Sequence, residues 1–204
     1  MATLDLDNVV RVLQTYPGRD KTLRSLAFWL QLRAHAPGSE KKDAFLALAK
    51  QLSAARLVLR QFNHPSMLKA CRHILETKPH DKLDYACNAG VTGIYTVYGV
   101  VELCAWLSDA KLMNMDSPRL WRWCLYLWIA ALVCSITKQI HLILKKKDME
   151  KAKEDIITLT GLTSDFISAI HSLPHKFLWA GKLSPRQAAF FSLVASLIGL
   201  YKVF

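Results

Sequence analysis

The residues that could do chemistry are few and scattered. Five cysteines stand at Cys71, Cys87, Cys104, Cys124 and Cys134. Cys71-Arg72-His73 places a thiol and an imidazole two residues apart, but nothing nearby completes the four ligands of a tetrahedral zinc site. The cysteines are odd in number, widely spaced and never Cys-x-x-Cys. Cys104, Cys124 and Cys134 lie inside apolar runs, so the pattern reads as buried thiols in a reducing compartment. His171 and His175 flank Ser-Leu-Pro and His141 sits in an apolar tail, where solvated or hydrogen-bonded imidazoles are expected. No Gly-x-x-x-x-Gly-Lys-Ser/Thr loop occurs, and no carboxylates pair at helical spacing in an apolar setting. The expectation is a protein with no catalytic residues, no metal site and no cofactor, hence not an enzyme.

What the sequence does carry is charge beside grease. Lysine and arginine total 27 against 16 acids, a net charge of +11, while 52% of residues are hydrophobic. Such a chain seeks an anionic partner. The basic residues are not interleaved with aromatics in any nucleic-acid recognition module, so anionic lipid is the expected partner and nucleic acid is not. The clearest carrier is residues 40–63, "EKKDAFLALAKQLSAARLVLRQFN". Phe45, Leu48, Leu52, Ala55, Leu59 and Phe62 recur at three- and four-residue steps. After Asp43 no acid occurs before Asn63, while Lys50, Arg56 and Arg60 are all positive. Such an apolar face either packs on a core or, because the polar side is all basic, lies on anionic lipid; on the second reading Leu48, Leu52, Leu59 and Phe62 are expected to enter a leaflet, and Lys50, Arg56 and Arg60 to hold its headgroups.

The surrounding elements read as helices throughout. Residues 7–16 start at Asp7 and stop at Pro17-Gly18. Asp20 can cap the next helix, and a short helix covers 66–76 after a break at Pro65. Residues 85–101 are uncharged and contain Gly90, Gly93 and Gly99, a composition that allows close helix approach in a membrane; Glu102 closes the run. Trp123 to Leu144 supplies the roughly 20 apolar residues a bilayer core needs. Lys138 interrupts it near one end, from which its stem can snorkel. Trp121, Trp123, Tyr126 and Trp128 at one end and Lys145–Lys147 at the other resemble interfacial anchors. Ser184, Pro185 and Gln187 form a capping-box start for the last apolar helix. The predicted fold is all-α, an integral membrane protein with amphipathic N-terminal helices and two or three hydrophobic membrane helices. Its regions are an amphipathic part (1–84), a membrane-dipping or buried helix with connector (85–122), a transmembrane helix (123–144), an amphipathic loop region (145–186) and a C-terminal hydrophobic helix (187–204).

Three stretches, taken in order, resemble the peroxisomal membrane protein eleven (peroxin eleven) family, its gamma-type branch most closely. "YPGRDKTLRSLAF" (16–28) is similar to the family's amino-terminal signature, here Gly18, Arg19, Asp20 and Lys21. "LSAARLVLRQF" (52–62) is similar to its membrane-active helix. "LPHKFLWAGKLSPRQAAFFSLVASLIGLY" (173–201) is similar to its carboxy-terminal block, with Leu173, Pro174, Trp179, Gly181 and Lys182. "VVELCAWLSDAKL" (100–112) adds a fourth echo. The resemblance implies an integral peroxisomal membrane protein that promotes peroxisome elongation, proliferation and fission. It also implies a homo-oligomer that associates with related family members and recruits a dynamin-like GTPase with its tail-anchored adaptors. Two other readings stay open: a membrane pore for small metabolites, for which Thr92, Thr96 and Glu102 offer a thin polar stripe, and a soluble helical interaction domain.

Overall fold

The computed structural model describes residues 6–76, 81–146 and 149–204. They form eight helices: α1 Leu6–Gln14, α2 Tyr16–Ala34, α3 Lys42–Gln61, α4 His64–Glu76, α5 Lys82–Asp109, α6 Ser117–Lys145, α7 Met149–His171 and α8 Pro185–Tyr201. The all-α expectation is met. The starts follow local chemistry. Ser184 accepts from Gln187 N at 3.2 Å, and the Gln187 side chain accepts from Ser184 N at 2.9 Å, the capping box legible in the sequence.

Two boundaries differ from expectation. Pro17-Gly18 opens α2 instead of closing α1: Thr15 is the N-cap, accepting from Gly18 N at 3.1 Å, and Pro17 sits in the first turn, where its missing N–H costs nothing. Gly18 is required there, because a Cβ on it would lie 1.9 Å from the Val12 carbonyl oxygen. Asp20 is left free of capping duty. Glu102, in turn, does not close the apolar run; α5 continues to Asp109.

At about 1.5 Å per residue, α5 and α6 are each about 40 Å long, enough to cross a hydrocarbon core of about 30 Å. Both are also apolar enough to cross, and only 17% of the most apolar 18-residue window of each is buried within the bundle. The core helix of a soluble domain would be mostly buried, so the soluble reading is set aside. α8, with 17 residues, is shorter than either. The two candidate spans are antiparallel neighbours, so crossing together they would put the segments before and after them on one side.

The main packing contacts trace a circuit. α3 lies on α2, α2 on α8, α8 on α7, α7 on α6, α6 on α5 and α5 on α4, and α4 follows α3 in the chain. Small residues let the backbones approach: Ala169, Ala189, Ala195 and Ser196 are buried, and Ser168 and Ser192 share a 2.7 Å hydrogen bond between α7 and α8. Few large apolar side chains are fully buried, and many point outward, among them Val97, Val100, Val133, Ile140, Phe190 and Leu197. A charged interior with an apolar exterior is the arrangement expected in lipid.

The ends of the bundle are tied by polar contacts. Asp81 caps α5, accepting from Leu83 N at 2.9 Å and Asp84 N at 3.2 Å, and pairs with His141 (2.9 Å) and Lys145 of α6. Lys138 reaches Asn88 Oδ1 at 2.7 Å and Asp84 at 3.5 Å instead of snorkelling outward alone. The hydrogen bonds from His141, then Lys145, then the Asp84 backbone hold the Asp81 carboxyl well below its ordinary value of 3.8. A lowered carboxyl stabilises the fold fully above that ordinary value and loses the contribution as pH falls toward the folded value. Asp81→Asn keeps the cap but not the charge. The native chain is expected to melt above this variant at pH 7 in detergent micelles, with the gap starting to close below about pH 4.

Candidate functional site: an outward apolar strip on α3 over a charged cavity

α3 departs from the sequence reading in which way it faces. Leu52 packs inward with Phe45 on the buried Ala27, Leu30 and Ala49. Arg56 and Arg60 also point inward. Arg56 Nε donates to Asp20 of α2 at 2.9 Å, and Arg60 donates to Glu102 of α5 at 2.7 Å. Of the three basic residues expected to grip headgroups, only Lys50 is exposed. The reason is that acids elsewhere in the fold offer full charges at hydrogen-bonding distance, which α3 alone could not reveal. Burial pulls the Arg56 guanidinium below its ordinary value, and the Asp20 carboxylate opposes that.

Beside exposed Lys42, Asp43, Lys50, Gln51 and Ser53, α3 turns outward an apolar strip: Ala44, Leu48, Ala55, Val58 and the C-cap Phe62 follow one another at steps of three, four or seven residues. Phe62 is 79% exposed and Leu48 44%; Leu59 is half-buried at the strip's edge. The expected insertion set thus divides into Leu48 and Phe62 outside, Leu52 inside and Leu59 between.

Behind α3 lies a cavity of about 610 Å3 at the centre of the helix circuit. Charge crosses it. Arg24 of α2 forks onto Asp165 of α7, with Nη1 to Oδ2 at 3.0 Å and Nη2 to the other oxygen. Glu102, 0% exposed, also accepts from Tyr98 at 2.8 Å and Gln61 at 3.2 Å. Pairing and hydrogen bonding are what make such burial tolerable. The sequence offered only Glu102 as a hint of this cluster; Arg24 and Asp165 had no local signature.

The residues singled out by resemblance take structural posts. Gly18 lets α2 start against α1, Asp20 and Lys21 line the cavity, and Arg19 is exposed. Near the other end of the chain, Gly181 has φ +69° and donates to His171 O at 3.0 Å, a left-handed turn suited to glycine. Leu173 is half-buried, while Pro174 and Lys182 are exposed. Trp179 Nε1 donates to Ile167 O at 2.8 Å, and its ring meets Phe166 edge-on. Trp179→Phe keeps an aromatic ring but removes that hydrogen bond, so a loss of about 1 kcal/mol is expected in thermal unfolding in micelles. Cys87 and Cys124 are buried, and all five cysteines are free thiols. Among the described residues no group of three or more His, Cys, Asp or Glu is placed to hold a metal ion.

Comparison with known proteins fits an inside-out helical bundle. A family model described as Peroxisomal biogenesis factor 11 (PEX11) matches residues 6–158. Peroxisomal membrane protein 11C of Homo sapiens is 24% identical over 225 residues, covering 97% of this chain and 93% of the human protein. The Mus musculus protein of the same description is 24% identical over 221 residues, covering 95% and 92%. No solved structure matches the chain. With the family model spanning most of its length and two apolar helices able to cross a bilayer, the chain belongs to the peroxisomal biogenesis factor 11 family, as an integral protein of the peroxisomal membrane.

Proposed function

We propose that this protein remodels the peroxisomal membrane, promoting elongation, proliferation and fission, by lodging the outward strip of α3 in one leaflet. The observation that carries the reading is the orientation of α3: its ion-pairing residues are engaged inward, and Leu48, Val58 and Phe62 are left outward with no packing partner deep enough to bury them. A helix lying shallowly in one leaflet widens that leaflet and bends the sheet. Lys50 adds headgroup attraction of about 1 kcal/mol. Around this act the protein self-associates, pairs with related family members, and recruits a dynamin-like GTPase through tail-anchored adaptors.

Reconstitution tests the central step. The purified chain in anionic liposomes is expected to draw tubules visible by electron microscopy, without turnover of GTP by itself. Liposomes that stay spherical at high protein density would count against remodelling. Recruitment is tested separately, by whether adaptor-bearing liposomes capture more dynamin-like GTPase when this chain is present.

The circuit of helices round a charged cavity supports a second reading, passage of small metabolites. The same liposomes decide between the two. Loss of a trapped small solute without tubules favours passage; tubules without leakage favour remodelling.

A further inference from the structure

The central cavity has one more cation than its ion pairs consume. Its lining holds Lys21, Arg24, Arg56 and Arg60 together with Asp20 and Asp165. Arg24 is matched by Asp165, Arg56 by Asp20, and Arg60 by Glu102 standing behind it. Lys21 makes no hydrogen bond and no ion pair among the described residues. Burial, with the Arg24 charge adding to it, pushes its ammonium below the ordinary lysine value, against the opposing pull of the Asp20 and Asp165 carboxylates. Its stem is nonetheless held in place. α8 passes so close that a Cβ on Gly199 would lie 3.0 Å from Lys21 Cδ and 3.1 Å from Cε.

Arg56 lines this space with capacity to spare, and His64, also in the lining, is packed against α5. Arg56 hydrogen-bonds through Nε, leaving its terminal amino groups uncommitted among the described residues. His64 Nε2 is buried with no hydrogen-bond partner, although a buried imidazole nitrogen normally has one. His64 is pressed against Gly99, where a Cβ would stand 2.7 Å from that nitrogen. Across the cavity the wall is apolar and aromatic, with Phe28, Met67, Trp128, Leu132 and Leu162. The volume lies in the range of small-molecule sites.

We propose that this cavity binds a phosphodiester, a singly charged phosphate, with Lys21 and the Arg56 amino groups turned to its oxygens and the apolar wall receiving the rest of the molecule. One surplus cation fits one negative charge. The guanidinium and ammonium donors fit unesterified phosphate oxygens. Phospholipid headgroups and soluble phosphodiesters share this chemistry, and the size and apolar wall of the cavity admit either.

The test uses the full chain in neutral detergent micelles and two probes, dihexanoyl phosphatidylglycerol and its deacylated form, glycerophosphoglycerol. Each is titrated against sodium chloride of equal ionic strength while thermal unfolding is followed. A saturable rise in midpoint beyond the chloride control is expected. A rise with the acylated probe alone assigns the site to a lipid, and a rise with both assigns it to a soluble phosphodiester. Lys21→Met keeps the stem and removes the charge. This variant is expected to be at least as stable as the native chain without probe, since an unpaired buried cation has gone, and to bind roughly tenfold or more weakly. Lys182→Met, exposed and remote, is expected to respond as the native chain does. Absence of any shift with either probe overturns the proposal, and so does an undiminished shift in Lys21→Met. A Lys21→Met chain that unfolds without probe would show that residue to be a structural support and overturns it too.

Discussion

Glu102→Ala is expected to cost about 3 kcal/mol and to loosen α3 from the bundle. Glu102 is fully buried and holds Arg60, Gln61 and Tyr98 at once. Removing its carboxylate leaves the Arg60 guanidinium without a counter-charge over an apolar wall. Breaking a buried pair typically costs about 3–5 kcal/mol, and the lower end applies because the Arg60 side chain is 36% exposed. Glu102→Gln still accepts hydrogen bonds from Tyr98 and Arg60, so a loss nearer 1–2 kcal/mol is expected, roughly the difference between a charged and a neutral hydrogen bond. Combining Glu102→Met with Arg60→Met removes both charges and is expected to recover most of the stability. Thermal unfolding in micelles reads all three. A Glu102→Ala chain as stable as the native one would show that the ion pair does not hold α3.

The order of these variants also explains what the sequence could and could not tell. Helices announce themselves locally: the period of α3, the Ser184-Pro185-Gln187 start of α8 and the length of α6 all lie within a few residues of each other. The direction each helix faces does not. Arg56 meets Asp20, 36 residues away, and Arg60 meets Glu102, 42 residues away; Arg24 meets Asp165 at a separation of 141. A helix with only basic charges looks like a headgroup binder until the acids that neutralise it are seen. Glu102 misled for the same cause. A lone acid after an apolar run signals an end, yet with Arg60 beside it the run passes on through Glu102. Pro17-Gly18 shows the local version of the problem. Proline marks both the end of one helix and the first turn of the next, and Thr15 as N-cap decides which.

This reversal changes what should abolish membrane bending. If Arg56 and Arg60 gripped headgroups, their change to Glu would weaken binding while leaving a folded chain. In this structure Arg56→Glu sets a second carboxylate beside Asp20 and is expected to lower the thermal midpoint before any membrane is present, since two acids replace an ion pair. Lys50→Glu, on the exposed side, is expected to leave the fold intact and to weaken tubulation only modestly, each basic residue at a headgroup surface contributing about 1 kcal/mol. The large effect is reserved for the apolar strip. Burying a Leu or Phe side chain is worth about 1.5–3 kcal/mol. Leu48→Glu with Phe62→Glu together therefore remove on the order of 4 kcal/mol of insertion energy, close to a thousandfold in the population of inserted helix. Both side chains lie largely outside the protein core, so the double variant is expected to melt like the native chain while its liposomes stay spherical. A Cys replacing Phe62, labelled with a fluorophore, gives an independent reading, because brominated acyl chains quench only a probe that has entered the leaflet. A folded Leu48→Glu/Phe62→Glu chain that draws tubules as well as the native one would remove α3 as the wedge. Bending would then have to come from another face that leaves large apolar groups outside, such as α1 with Leu6, Val10 and Leu13 or α8 with Phe190, Leu197 and Tyr201.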